Sequence, residues 1–244
     1  MSLLPTIKTK PKYELDQQII LVYGPPKSGK TTWIANFPSV LLLATEPGHN
    51  SHEIYAITID SWEKFLGVLA ELSKVATEGK QTFKNIAIDT IDNLLDFCSE
   101  YVLKKNGMLH GSDDNNKGYT LISAEFGRVM KKISLLPYGL VMTSHIKETK
   151  VKTRTGDYPK QGPNVSGKNA KIILGLSDLI LYFEIVSKTN KETGEILDER
   201  IIRTIANQYY EAGARIKGLE DKIPLDFQTF KKSYENTVKQ QGKK

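Results

Sequence analysis

The chain has 244 residues, of which 39% are hydrophobic and 25% are charged, and its formal net charge is +6. This composition excludes a wholly disordered or collagen-like chain, and the length suits one compact α/β domain. No apolar run approaches about 18 residues, so we expect no membrane-spanning segment and no membrane partner. The single cysteine, Cys98, excludes an internal disulfide framework and a cysteine-based zinc site. Because the chain starts without an export signal, we expect a cytoplasmic protein.

Five apolar runs predict the strands of a parallel sheet. They are residues 19–23, 40–45, 54–59, 85–89 and 139–144. Because the runs are continuous rather than alternating, they are typical of strands that are buried on both faces. Apolar residues recur at helical spacing between them, at residues 62–72, 91–104 and 119–136. This alternation predicts an α/β fold with a mostly parallel sheet flanked by helices.

The pattern changes after Asp178. The segments LILYFEIV and RIIRTIAN flank a polar turn that contains Thr193 and Gly194, which predicts an antiparallel hairpin at the edge of the sheet. Two other stretches, residues 105–118 and 146–168, are rich in glycine, asparagine, aspartate and lysine. We expect both to be long functional loops outside helix and sheet.

The positive charge of the chain is concentrated in two places. Residues 146–171 hold seven basic side chains and two acidic ones, a net charge of +5. Residues 231–244 hold five lysines and one glutamate, a net charge of +4. The remainder of the chain is therefore slightly acidic, and a polyanion would be drawn to these two segments.

A phosphate-binding motif follows the first predicted strand. The motif G-x-x-x-x-G-K-[ST] is matched by Gly24, Pro25, Pro26, Lys27, Ser28, Gly29, Lys30 and Thr31. In such a loop, backbone N–H groups and a helix N-terminus surround the phosphates. Lys30 is expected to reach the β- and γ-phosphates, the Thr31 hydroxyl to bind Mg²⁺, and Thr32 to complete the nucleotide site. The motif therefore predicts ATP and Mg²⁺ as cofactors.

Acidic residues end two of the predicted strands. Asp89 ends the strand NIAID, where a Walker B aspartate would hold Mg²⁺, and Glu46 follows the strand VLLLAT. Since the carboxyl ends of parallel strands face the ligand, both carboxylates should point towards the phosphates. His145 ends the strand GLVMTSH in the equivalent position and could sense the γ-phosphate. Asp92, by contrast, is interpreted as a charge at the start of a helix.

Together these motifs resemble those of compact RecA-type ATPases encoded by phages, the shortened relatives of RecA among single-strand annealing recombination proteins. The resemblance covers residues 17–230. It is carried by GPPKSGKTT, LLLATEPG, NIAIDTIDNL, VMTSHIKE and AGARIKGLEDKIPLDF, in that order. A protein of this family would work in the cytoplasm of the phage host.

The resemblance implies roles for several residues. Glu46 would be the general base that orients the attacking water, and His145 would replace a glutamine of RecA that senses the phosphate. Residues 105–118 and 146–168 would be the first and second DNA loops. The DNA-binding candidates are Lys150, Lys152, Arg154, Lys160 and Lys168.

The resemblance also implies an assembly. RecA-type filaments complete each ATP site with cations from a neighbouring subunit, and Lys168, Lys171 and Arg215 are candidates. Arg215 could equally bind the adenine or a phosphate. We expect single-stranded DNA as a ligand, a homo-oligomer or filament, and a single-strand binding protein as a partner.

The sequence therefore predicts an N-terminal basic arm (1–16), a RecA-like ATPase core (17–230) and a lysine-rich tail (231–244). The function it favours is ATP-dependent binding of single-stranded DNA in recombination, by annealing or strand pairing. Two alternatives stay open, a small-molecule or nucleotide kinase and a nucleotide-gated protein that binds another partner.

Overall fold

The structure is a computed structural model that describes residues 4, 6–8, 11–154, 156–189 and 194–241. A 3₁₀ turn, Leu15–Gln17, precedes the sheet. The strands are β1 (Ile19–Gly24), β2 (Val40–Ala44), β3 (Tyr55–Thr58), β4 (Asn85–Asp89), β5 (Gly139–Thr153), β6 (Gly156–Pro163), β7 (Leu179–Thr189), β8 (Ile196–Arg203), β9 (Gly213–Ala214) and β10 (Lys222–Pro224). The helices are α1 (Lys30–Ile34), α2 (Trp62–Thr77), α3 (Ile91–Lys105), α4 (Asp113–Ser134), α5 (Gly167–Leu176) and α6 (Phe227–Gln241).

The central sheet has the strand order β10-β8-β7-β1-β5-β4-β2-β3. The strands from β7 to β3 in this order run parallel, while β8 and β10 are antiparallel additions at one edge. This arrangement confirms the predicted α/β fold with a mostly parallel sheet and an antiparallel hairpin at its edge. Thr193, in the predicted turn of that hairpin, lies outside the described residues.

Apolar side chains cover both faces of the sheet. Helices α2, α3 and α4 bury one face around Trp62, Phe65 and Phe126, and helices α1 and α6 bury the other around Trp33 and Phe230. Strands β1, β2 and β4 and the first half of β5 are buried almost throughout, as their continuous apolar runs predict. Strand β3 is the exception, because it lies at the edge of the sheet and is largely exposed.

The prediction of a loop at residues 146–168 is wrong. Strand β5 continues to Thr153 and pairs with β6, from Ile146 opposite Pro163 to Thr153 opposite Gly156. We call residues 146–163 the basic hairpin. Glycine and proline do not prevent it, because β6 is an edge strand where a missing N–H is tolerated, and Gly156 adopts the positive φ of a turn.

The predicted loop at residues 105–118 is shorter in the structure. Helix α3 ends at Lys105 and α4 begins at Asp113, so residues 106–112 form the connection. The first turn of α4 is irregular, because residues 114–116 have positive φ angles. Asparagine and aspartate tolerate this conformation better than other residues that carry a Cβ.

Helix α6 crosses the predicted boundary between residues 230 and 231. Its residues Phe230 and Tyr234 are buried against β7 and α1, so residues 231–241 belong to the folded domain rather than to a tail. The final lysines, Lys243 and Lys244, lie outside the described residues, as does part of the predicted N-terminal arm. In the part of the chain that the structure describes, no helix has the length and hydropathy needed to cross a membrane.

Candidate nucleotide-binding site

The phosphate-binding motif lies at the carboxyl end of the central strand β1. The loop leaves β1 at Gly24, between β5 and β7, and enters α1 at Lys30. Both fixed glycines are sterically required: a Cβ at Gly24 would lie 2.6 Å from the Phe183 carbonyl oxygen, and Gly29 has a φ of +99°. The backbone therefore adopts a path that side chains at these positions would prevent.

Two polar groups inside this loop fit a bound polyphosphate. Lys30 is only 8% exposed, and its Nζ donates to the carbonyl oxygens of Gly24 (3.0 Å) and Pro25 (2.9 Å). Burial lowers the pKa of Lys30, an effect that Asp89 and Glu46 oppose through their charges. Within the described residues no carboxylate is bonded to this buried ammonium, and Ser28 Oγ is buried without a hydrogen-bond partner. Oxygen atoms of a phosphate would satisfy both groups.

The predicted Mg²⁺ residues are in contact with each other. Thr31 Oγ1 donates to Asp89 Oδ2 at 2.8 Å, and the hydroxyl of Thr143 donates to the other oxygen of this buried carboxylate. Hydroxyl and carboxylate oxygens are the metal ligands that Mg²⁺ prefers. Among the described residues no group of three or more His, Cys, Asp or Glu side chains could hold a metal. A Mg²⁺ ion here would therefore take its other ligands from phosphate and water.

Glu46 and His145 meet beside this loop. His145 stands next to Gly24 in the register of β5 and β1, and its Nε2 is 3.6 Å from Glu46 Oε2. Asn93 Nδ2 donates to the same glutamate oxygen at 3.2 Å. The two strand ends thus bring a half-exposed carboxylate and an imidazole together, as their positions in the sequence predict.

Asp92 is a site residue that the sequence interpretation missed. It is 6% exposed, and its Oδ2 lies 2.5 Å from Nδ1 of His145. Its Oδ1 also accepts the backbone N–H of His145 at 3.3 Å. Because the carboxylate can only accept, Nδ1 of the imidazole carries a proton and Nε2 is the atom that faces Glu46.

A second missed residue is His52, to which the sequence interpretation assigned no role. Its Nε2 forms a 3.1 Å hydrogen bond with Thr32 Oγ1, and its Nδ1 forms one with Ser51. Nearby, a Cβ at Gly48 would lie 3.8 Å from Thr31 Oγ1. The segment from Glu46 to His52 therefore lies against the first turn of α1.

The structure does not bring Arg215 to this site. Its guanidinium binds Asp178 (2.9 Å) and the carbonyl oxygen of Gly175 (2.8 Å), and Asp178 accepts the N–H of Ile19. Ile19 begins β1, whereas the phosphate-binding loop follows its end, roughly 17 Å further along the strand. The expected contact of Arg215 with the nucleotide of its own subunit therefore does not hold, while a contact with a neighbouring subunit stays a prediction.

The predicted DNA-binding residues differ in their contacts. Lys150 pairs with Asp157 at 3.0 Å, and Lys160 pairs with Glu211 at 2.7 Å. Lys152 and Arg154 are exposed near the tip of the basic hairpin, and within the described residues neither forms an ion pair. Lys168 is exposed at the start of α5.

The basic hairpin is fixed to the body of the domain. Gln161 exchanges backbone hydrogen bonds with Tyr209 (2.7 Å) and Glu211 (3.1 Å), and the rings of Tyr158 and Tyr209 pack edge to face. Tyr23, which directly precedes the phosphate-binding loop, donates its hydroxyl to the Glu211 carbonyl oxygen at 2.5 Å. The hairpin is therefore connected to the loop both through β5 and through Tyr23.

This fold and site define a P-loop NTPase. Residues 16–216 match a protein family described as AAA domain, and because the match spans most of the chain, the chain belongs to that family. AAA domains usually bind a nucleotide with Mg²⁺, and membership indicates nucleotide hydrolysis in general. The finer resemblance to phage RecA-type annealing proteins stays a prediction.

The chain is also similar to a prophage protein. It is 25% identical over 172 residues to the SPbeta prophage-derived uncharacterized protein YorG of Bacillus subtilis (strain 168). The aligned region covers 69% of this chain and 51% of the relative. The chain thus spans about half the length of the curated relative that it matches.

Proposed function

We propose that the chain is an ATPase that binds single-stranded DNA along its basic hairpin, as a homo-oligomer, during phage DNA recombination by annealing or strand pairing. The observation that carries this proposal is the continuity of β5. The strand runs from His145, beside Glu46, directly into the hairpin that ends at Thr153. A change at the nucleotide site would therefore reach the hairpin without crossing a flexible linker.

The nucleotide half of the proposal assigns each residue an action. Lys30 and the N–H groups of the loop would bind the phosphates, while Thr31 and Asp89 would hold Mg²⁺. When bound, Mg²⁺ neutralises phosphate charge. Glu46 would accept a proton from water, and Asn93 keeps its carboxylate in place. His145 would contact the terminal phosphate through Nε2 when that nitrogen is also protonated, because phosphate oxygens only accept hydrogen bonds.

The DNA half of the proposal rests on charge and on aromatic side chains. Lys152 and Arg154 are exposed cations without ion-pair partners among the described residues, so both can bind phosphates. Tyr209, half exposed beside Tyr158, offers a ring on which a base can stack. The prophage-derived relative supports a phage setting and thus work in the host cytoplasm. We further propose a single-strand binding protein as a partner.

The variant Lys152→Ala/Arg154→Ala tests the role of the hairpin. If each cation neutralises one phosphate, removing both should flatten the slope of log affinity against log salt by about 1.4, at roughly 0.7 per contact on single strands. Binding should weaken regardless of base sequence. The measurement is a titration of a labelled oligonucleotide at several salt concentrations.

The matched control is Lys64→Ala/Lys74→Ala, which removes the same charge from the exposed face of α2. This control should keep the parental slope. An equal slope for the hairpin variant and the parent would show that these cations do not touch DNA, and would contradict the proposed interface.

A further inference from the structure

A cavity of about 650 Å³ lies at the base of the basic hairpin. Its walls come from α3, from the first half of α4, and from residues 164–169, which lead from β6 into the first turn of α5. The volume is in the range of sites that bind small molecules. The cavity is separate from the phosphate-binding loop, but the two share a border, since Asp92 lines the cavity and holds His145.

The walls combine an apolar surface with an aromatic ring. Leu95, Leu103 and Ile122 supply the apolar part, and the ring of Tyr119 is 58% exposed. This ring packs directly against Gly111, where a Cβ would overlap it, and Tyr119 N donates to the Gly111 carbonyl oxygen. Such walls suit a flat heterocycle that stacks on one side.

Two side chains of the cavity offer hydrogen-bond acceptors that no described residue uses. Asn169 Oδ1 is buried and lacks a hydrogen-bond partner among the described residues. Asp96 is exposed to solvent and forms no hydrogen bond or ion pair among the described residues, and partial desolvation, followed by the charge of Asp92, raises its pKa. A ligand that donates hydrogen bonds would satisfy both groups, whereas one that only accepts them would not.

Lys168 adds a cation to this wall. It lines the cavity and is exposed, so it can bind a phosphate while the ring attached to that phosphate lies inside. The cavity therefore combines an aromatic surface, free hydrogen-bond acceptors and an exposed lysine.

We propose that this cavity receives one base of a bound single strand and selects bases that carry an exocyclic amino group. The inference rests on the proposed DNA binding and adds a base preference to it. The amino group of cytosine is a donor that aspartate accepts, whereas thymine has a carbonyl oxygen at the same position. Cytosine should therefore be favoured over thymine, with Asp96 as the residue that discriminates.

The test compares the dissociation constants of oligo-dC and oligo-dT of equal length at one salt concentration. The parent should bind oligo-dC about tenfold more tightly, the effect of one base-specific contact. Asp96→Ala should bring the ratio close to one. The matched control is Glu100→Ala, which removes an equal charge one turn further along α3 from a side chain outside the cavity wall, and should keep the tenfold ratio.

Equal binding of the two oligonucleotides by the parent would overturn this inference and leave the proposed DNA binding intact. If Asp96→Ala keeps the ratio but changes the oligomeric state, the cavity receives a basic side chain of a second copy, which also overturns it. If the parent binds no DNA, the proposed function fails, and titration with free cytidine and thymidine tests the base preference of the cavity by itself. Asn169 NMR signals that shift with cytidine but not with thymidine would support a preference for the amino group. Equal shifts with both nucleosides, or no shifts, would overturn it.

Discussion

Replacing Lys30 with alanine is expected to lower ATP turnover by at least about a hundredfold, the typical effect of removing a positioned group that stabilises developing charge. The Lys30 ammonium is buried in the loop, where its partners are the carbonyl oxygens of Gly24 and Pro25. No other cation in the loop is buried, since Lys27 is exposed. Phosphate release in the presence of Mg²⁺ measures the loss.

The fold should survive this substitution. Lys30 is not part of the apolar core, since its ammonium contacts only backbone carbonyl oxygens of the loop, and alanine leaves no unpaired charge behind. Circular dichroism and a thermal melt would show whether the variant is folded, and Lys64→Ala on the exposed face of α2 is the control for loss of a lysine elsewhere. A folded Lys30→Ala protein with parental turnover would contradict the assignment of the nucleotide site.

Glu46→Gln is expected to separate hydrolysis from binding. Turnover should fall by roughly 10² to 10⁴, the usual contribution of a general base, because the amide cannot accept the proton of water. Binding of Mg-ATP should persist, since Thr31 and Asp89 are unchanged.

Asp89→Asn should instead raise the Mg²⁺ concentration needed for half-maximal rate. A fluorescent nucleotide reports binding, and phosphate release reports turnover.

Asp92→Asn extends this test to the residue that positions His145. The amide can no longer accept both N–H groups of His145 as a carboxylate does, so the ring loses its fixed orientation. Turnover should fall by roughly 10- to 100-fold, the usual effect of removing a residue that orients a ligating or catalytic side chain through a hydrogen bond. The ¹⁵N signals of the His145 ring should also show that the proton is no longer confined to Nδ1. For the preceding variant, Glu46→Gln, parental turnover would contradict the role of Glu46 as the general base.

The sequence was sufficient to predict the central fold. Continuous apolar runs such as residues 40–45 and 85–89 are buried on both faces, as expected for inner parallel strands. The phosphate-binding motif is local, so its residues are adjacent in space because they are adjacent in the chain. Glu46, Asp89 and His145 come together for a related reason, since each lies where the parallel-paired part of its strand ends or just beyond it, and these ends lie on one side of the sheet.

The remaining features depend on contacts between distant residues. The pairing of Asp92 with His145 spans 53 positions, and no local pattern identifies it. Asp178 holds Arg215 near the start of β1, at the opposite end of that strand from the phosphate-binding loop, and charge alone could not distinguish this contact from one with phosphate. The basic hairpin was missed because glycine and proline indicate loops on average, although edge strands accept both.

The most direct test of the central claim is the ATP turnover of the unaltered chain with Mg²⁺, measured alone, with single-stranded DNA and with nucleoside monophosphates. The continuity between the Glu46–His145 contact and the basic hairpin predicts that single-stranded DNA raises the rate severalfold and that monophosphates are not consumed. An ATP turnover rate that single-stranded DNA does not change would contradict the proposed coupling between the nucleotide site and the basic hairpin. Phosphorylation of a monophosphate would identify the chain as a kinase instead.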